Sequence, residues 1–268
     1  VSRRQHEWTD SFVETVATVA TSLSPIDLSA VSTLALEQAR HAVCITDARI
    51  DSPGPVIEFV NQAYLDIFAA DEADVVGVSP RHGQGPLTDR SVLDRLRAHL
   101  VAGASIQAQA INYRADRSTF RLRWSIDAIR RAGRVEKFFA VLHDVTIDDR
   151  MRRRLSALDA LVHAGPAITS TAGADDRAAL VASAVRDAVE PMVAEIGGVR
   201  VTIGGSTLEV AAPAHVDGVA LTASRFSIGD VGEVALDVHP DANELLDVAG
   251  VEEIVRHGHW LATLTASH

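Results

Sequence analysis

The chain has 268 residues and very little cysteine or lysine, and each scarcity excludes something. A single cysteine, Cys44, rules out an intramolecular disulfide framework and any cysteine-rich metal site. Lys137 is the one lysine beside 24 arginines, a usage that reads as a GC-rich prokaryotic coding sequence. No apolar run reaches the ~20 residues that span a bilayer, and the opening VSRRQHEWTD lacks the apolar stretch of a secretion signal. The expected location is therefore cytoplasmic. Basic residues number 25 against 36 acidic ones, and a net charge of −11 without a basic stripe argues against direct nucleic-acid binding. No paired carboxylates, nucleophile elbow or phosphate loop stands out, so the chain is not expected to be an enzyme. His257 and His259 lie two apart on a predicted helix and do not share a face, so no metal site is expected.

What is present is ample apolar material, 47% of residues, enough for two packed domains. Residues 5–24 carry Trp8, Phe12, Val16, Val19 and Leu23 at helical spacing, ended by Ser24-Pro25. A second helical stretch covers about 27–40. These leader helices either pack on the next domain or also form a dimer interface.

From Ala42 the apolar period becomes that of strands. AVCITD at 42–47 and PVIEFVN at 55–61 flank a DSPGP turn and read as a hairpin-like pair. Short helices are predicted at 62–68 and 72–76, a polar loop GVSPRHGQGPLTD at 77–89, and a helix at 91–101 with Val92, Leu93, Leu96 and Leu100 inward. Three strands follow at 105–113, 119–129 and 135–145. The loop's glycines let backbone approach a ligand closely, which marks it as a binding loop.

This order, with the motifs ITD at 45–47, FVNQAYL at 59–65, NYRAD at 112–116 and HDVT at 143–146, resembles the light-oxygen-voltage (LOV) branch of the PAS sensor domains over about residues 42–146. The loop is similar to that family's Gly-x-Asn-Cys-Arg-Phe-Leu-Gln-Gly-Pro-x-Thr-Asp at Gly77, Arg81, Gln84, Gly85, Pro86, Thr88 and Asp89. The resemblance implies an α+β fold, a five-stranded antiparallel sheet with flanking helices cupping a pocket, and flavin mononucleotide (FMN) as cofactor. It implies phosphate contacts from Arg81 and Arg97, amide contacts at Gln84, Asn112, Leu122 and Leu142, and pocket positions at Thr46 and Asn61.

Two departures from the family stand out. Leucine occupies two of the four amide positions, 122 and 142, and the loop cysteine that attacks flavin is replaced by Pro80. Cys44 lies two residues before Thr46 on a predicted strand, so both share a face. Cys44 is then either a small buried hydrophobe or a relocated thiol that forms the flavin-cysteinyl adduct. His82, a lone loop histidine, is expected to be solvated.

Residues 147–162 place Met151, Leu155, Leu158 and Val162 on a short coiled-coil seam, expected to be the signalling helix, with HAGPAITSTAGADD as a joint. The remainder, 173–268, reads as an α/β domain: a helix at 174–193, strands at about 198–203, 207–212, 219–228 and 231–239, and a final helix at 242–264. Its order resembles a reduced GAF domain. The domain plan is thus leader helices 1–40, a LOV-like PAS domain 41–146, a signalling linker 147–172 and a GAF-like domain 173–268. The expected protein is a homodimeric blue-light sensor that passes its signal through flanking helices to a downstream partner, with no membrane contact. The alternative is a flavin-free PAS module for dimerisation or a small ligand.

Overall fold

A computed structural model of the protein describes residues 34–264 apart from 53, 172, 217, 218 and 243. The leader-helix predictions lie almost wholly outside the described residues; residues 34–37 are helical.

The first half is an antiparallel sheet of five strands with helices on one side. Its strands are β1 (Ala42–Asp47), β2 (Ile57–Val60), β3 (Ile106–Tyr113), β4 (Thr119–Arg131) and β5 (Arg134–Asp144), in spatial order β2-β1-β5-β4-β3. Between β2 and β3 come helices α1 (Gln62–Phe68), α2 (Glu72–Val75) and α3 (Arg90–Ala102). Asn61 starts α1 by accepting from the Tyr64 N–H, and Asp89 starts α3 by accepting from the Ser91 N–H at 2.8 Å. Gly103, at φ +61°, ends α3 in the left-handed conformation that glycine adopts without penalty.

Alternation sorts each strand between two faces. Cys44, Leu122, Trp124 and Leu142 belong to the core on the helix side, with Tyr64, Phe68 and Phe120. Ile111 and Tyr113 of β3 point the other way and join, with Leu87, the core of the second half. That second packing explains why an eight-residue strand such as β3 has four buried residues in succession.

The second half begins with α4 (Thr146–Ser170) and α5 (Ala174–Val193). The predicted joint at 163–176 is shorter than expected: α4 runs as one helix through Pro166 to Ser170, and the break before α5 falls between Ser170 and Ala174. A proline inside a helix costs about 3 kcal/mol. Here Ala157, Leu161 and Ile168 are all buried in the shared core, and that packing holds the last turns in register. Of the predicted coiled-coil seam, Met151, Leu155 and Val162 are exposed, as is Ile147, whereas Leu158 is half-buried against the shared core. On α5 the predicted apolar face is buried at Val181, Ala184, Val185 and Val189, but Leu180 is 38% exposed and sits off it.

Strands β6 (Gly197–Ile203), β7 (Ser206–Val210), β8 (Thr222–Ile228) and β9 (Gly232–Val238) form a second antiparallel sheet in the order β7-β6-β9-β8. The last helix, α6 (Val248–Leu264), begins six residues later than predicted. Asp247 sets its start: its carboxylate accepts from the Gly250 N–H at 3.0 Å, while Pro240–Ala242 forms a separate 3-10 turn. Among the described residues no helix is long and apolar enough to cross a membrane.

Candidate functional site

The inner face of the first sheet, α1, α3 and the loop at 77–89 enclose a cavity of about 450 Å3. That volume lies in the range of small-molecule and cofactor sites. Alternate residues of three strands make its floor: Cys44 and Thr46, then Leu122, Trp124 and Ile126, then Phe138, Ala140 and Leu142. Tyr64 and Phe68 of α1 face them together with Leu93, Leu96 and Leu100 of α3. Pro80, Arg81 and Gln84 of the loop, Asn112 of β3, and Arg90 and Arg97 of α3 complete the lining.

The loop is held at both ends. Pro80–Gly83 is a single 3-10 turn started by Ser79, and proline suits that first position because its missing N–H has no partner to lose there. Thr88 Oγ1 accepts from the Gly85 N–H at 3.0 Å and donates to the Ile111 carbonyl at 2.8 Å; the Leu87 N–H donates to the Tyr113 hydroxyl at 3.1 Å. A Cβ at Gly83 would meet Phe68 Cε1 at 2.6 Å, so that backbone lies directly against the aromatic wall.

Several polar groups of the cavity have commitments within the protein. The Thr46 hydroxyl donates to the Asp47 carbonyl at 2.9 Å, and the Asn112 amide donates to the Ala110 carbonyl at 3.3 Å. Arg97 donates to the Ile50 carbonyl at 2.9 Å and pairs with Asp51 at 3.3 Å. Arg81, Arg90 and Arg97 are all exposed, so they bring positive charge to the cavity's edge. The indole nitrogen of Trp124, by contrast, is closed off from solvent and has no hydrogen-bond partner.

Cys44 is 2% exposed, and burial pushes its thiol up to about 12. It therefore keeps its proton at neutral pH. Burial likewise raises Tyr64, with the neighbouring Cys44 adding to the effect. His82 is exposed, as expected, yet it is tied to the cavity wall: its Nε2 lies 2.9 Å from the Tyr64 hydroxyl, its ring stands 5.2 Å from that of Phe68, and partial burial lowers its pKa.

Of the nine residues picked out in the sequence, Cys44, Thr46, Arg81, Gln84, Arg97, Asn112, Leu122 and Leu142 surround this one cavity. Asn61 does not. Its carbonyl oxygen accepts from Val43 and Tyr64, and its amide nitrogen donates to the carbonyls of Leu36, Ala39 and His41, so it ties β1 to α1 and leaves nothing for a ligand. Tyr64, Phe68, Trp124 and Phe138 were missed. For Trp124 the signal was available, since it shares the parity of Leu122 along β4.

Residues 41–146 match the PAS domain family. The segment is a PAS domain of the LOV type. A blue-light-activated histidine kinase of Rhizobium johnstonii is 26% identical over 138 residues, 51% of this chain and 38% of that one. Blue-light-activated histidine kinase 1 of Erythrobacter litoralis is 34% identical over 80 residues, 30% of this chain and 22% of that one. The chain thus matches well under half the length of these relatives. A solved structure from work on light-oxygen-voltage domain mechanism with a flavin analogue aligns at 29% identity and TM-score 0.39, covering 46% of this chain and 88% of that one.

The reverse face of the PAS sheet carries a buried ionic cluster. Arg121, next to the cavity residue Leu122 but on the opposite face, places Nε 2.9 Å from Asp149 of α4 and also pairs with Glu195. Asp149 further accepts from Arg152 at 2.9 Å and Arg153 at 2.6 Å, and Arg153 reaches Glu195 at 2.8 Å. Burial opposes the charge on Glu195, but Arg121 and Arg153 outweigh it and hold its carboxyl below the usual range. Nearby, the Thr119 hydroxyl donates to the Asp241 carbonyl at 2.6 Å. β4 is thus fastened to α4, to the segment after α5 and to the turn before α6.

Proposed function

We propose that the PAS domain binds FMN and reports blue light to the helices and sheet that follow it, acting as a sensor and not as an enzyme. The observation that carries this reading is that the chain's one cysteine is buried in the wall of the cavity, beside the residues that the LOV motifs assign to flavin. The remaining lining fits the cofactor: apolar and aromatic walls suit the ring, Gln84 and Asn112 its polar edge, and Arg81 and Arg97 the phosphate. When bound, the flavin supplies blue-light absorption and a carbon that a thiol attacks. Cys44 offers a protonated thiol in place of the one that Pro80 lacks, which makes it the candidate for the flavin-cysteinyl bond.

The output runs through β4. A change at Leu122 or Trp124 is felt by Arg121 on the other face, and from there by Asp149 of α4 and by Glu195. The exposed row Ile147, Met151, Leu155 and Val162 on α4 is a surface for a second copy of the chain, so the signal would shift two helix arrangements in a homodimer. The names of the curated relatives, both blue-light-activated, support the light-sensing part of this reading. Absorption of the purified chain before and after blue light tests it: loss of a flavin band that recovers in darkness is expected, and Cys44→Ala should abolish the loss. Bleaching that survives Cys44→Ala would remove Cys44 from the reaction.

A second reading, a PAS module that holds an apolar ligand or none, is favoured by Leu122 and Leu142, neither of which offers the ring a hydrogen bond. A colourless preparation that stays empty after reconstitution with FMN would establish it.

A further inference from the structure

Trp124 is 6% exposed and part of the cavity wall, and its indole N–H is an unused donor. An indole nitrogen can only donate, and a buried donor left without an acceptor destabilises the state that contains it. Its neighbours offer no remedy. Leu122 and Ile126 flank it along β4, and its cross-strand partners are Leu142 on β5 and Ala108 on β3, all hydrocarbon. Nor does the rest of the described protein supply an acceptor.

We propose that the ligand of this cavity, by turning the Trp124 ring, meets its indole N–H, which has no accessible surface in the ligand-free protein, with a hydrogen-bond acceptor, a ring nitrogen or carbonyl oxygen of the kind an isoalloxazine carries. This rests on the flavin reading and deepens it. It gives the polar edge of the ring a donor beside the two positions, 122 and 142, where hydrocarbon has replaced an amide. It also sets a preference, because an amide can turn to donate or accept whereas the indole only donates. A ligand edge that carries its own N–H at this point is disfavoured.

The chain has three tryptophans, Trp8, Trp124 and Trp260, so indole-15N labelling of the full chain yields three side-chain N–H signals. Trp124→Phe assigns the one that matters. Adding FMN to the wild-type protein is expected to move the Trp124 signal downfield and slow its exchange with solvent, and to leave that of Trp260, which is 57% exposed, in place. Trp124→Phe should bind FMN about tenfold more weakly, the scale of one buried hydrogen bond. Binding of FMN with the Trp124 signal unmoved would overturn the inference alone and leave the flavin reading intact. Failure of the wild-type chain to bind FMN or riboflavin would overturn both. Where the Trp124→Phe chain does not fold, Trp8→Phe and Trp260→Phe assign the Trp124 signal by elimination, and the wild-type titration still decides the matter.

Discussion

Replacing Arg121 with methionine removes a buried cation while keeping most of its stem. The side chains of Arg121 and Asp149 are 6% and 2% exposed, so neither charge can fall back on water. Breaking such a pair by deleting one partner costs about 3–5 kcal/mol, and the lower end applies because Asp149 keeps Arg152 and Arg153. At 2–4 °C per kcal/mol for a unit of this size, Arg121→Met should lower the melting temperature by roughly 6–12 °C. Arg200 and Glu209, 44% and 56% exposed, make the control; Arg200→Met should leave the midpoint near wild type. Circular dichroism melts at two salt concentrations are the assay, and the Arg121 effect should persist at high salt because the pair is shielded from ions. Acid adds a second readout. Glu195 has a lowered pKa in the folded state, so its stabilisation is present above the ordinary carboxylate value and lost as pH falls through the folded one. Arg121→Met should blunt that acid-side loss. Equal midpoints for Arg121→Met and Arg200→Met would refute the claim that the cluster fastens β4 to the second half.

Cys44 titrates near 9 when unfolded and about 12 when folded, so the contribution of the protonated thiol is intact below pH 9 and declines from there to pH 12; a denaturation series over that window should show the decline, and Cys44→Ala should remove it. Asn61→Ala removes the side-chain acceptor of the Val43 and Tyr64 N–H groups and the side-chain donor to three carbonyls, though Tyr64 keeps the Asn61 carbonyl and Leu36 the Ala39 N–H, and should cost about 2–4 kcal/mol in chemical denaturation without altering FMN affinity in the folded protein. Arg81→Gln with Arg97→Gln should erase any preference for FMN over riboflavin in paired titrations, because only the phosphate distinguishes the two; a preference that persists would place the phosphate elsewhere.

Alternation along β4 and β5 made the inner wall readable from the sequence: residues 122, 124 and 126, and 138, 140 and 142, had to share a side once the strands were assigned. The same logic set Cys44 beside Thr46. Asn61 was misjudged because its motif position says nothing about where its hydrogen bonds go, and they go to five backbone groups of β1, α1 and the segment before them. Local rules ended the signalling helix at Val162, ahead of Gly165-Pro166; Leu161 and Ile168 override them by burying against elements far along the chain. The Arg121 cluster was equally hidden, since it joins residues 121, 149 and 195 that meet only after both halves have folded.

The placement of β1 between β2 and β5 bears on how the protein is born. Pairing Ala42 with Leu142 closes a loop of about a hundred residues, a slow, entropically costly step compared with the β4–β5 hairpin. A ribosome adding roughly 5–20 residues per second leaves β1 with only β2 beside it for several seconds. Throughout that interval Cys44 stands at an open strand edge, a thiol of ordinary acidity in water. A thiol only 2% exposed in the finished protein is thus among the groups most vulnerable during synthesis, and any oxidative loss of it would be fixed before the cavity that shelters it exists.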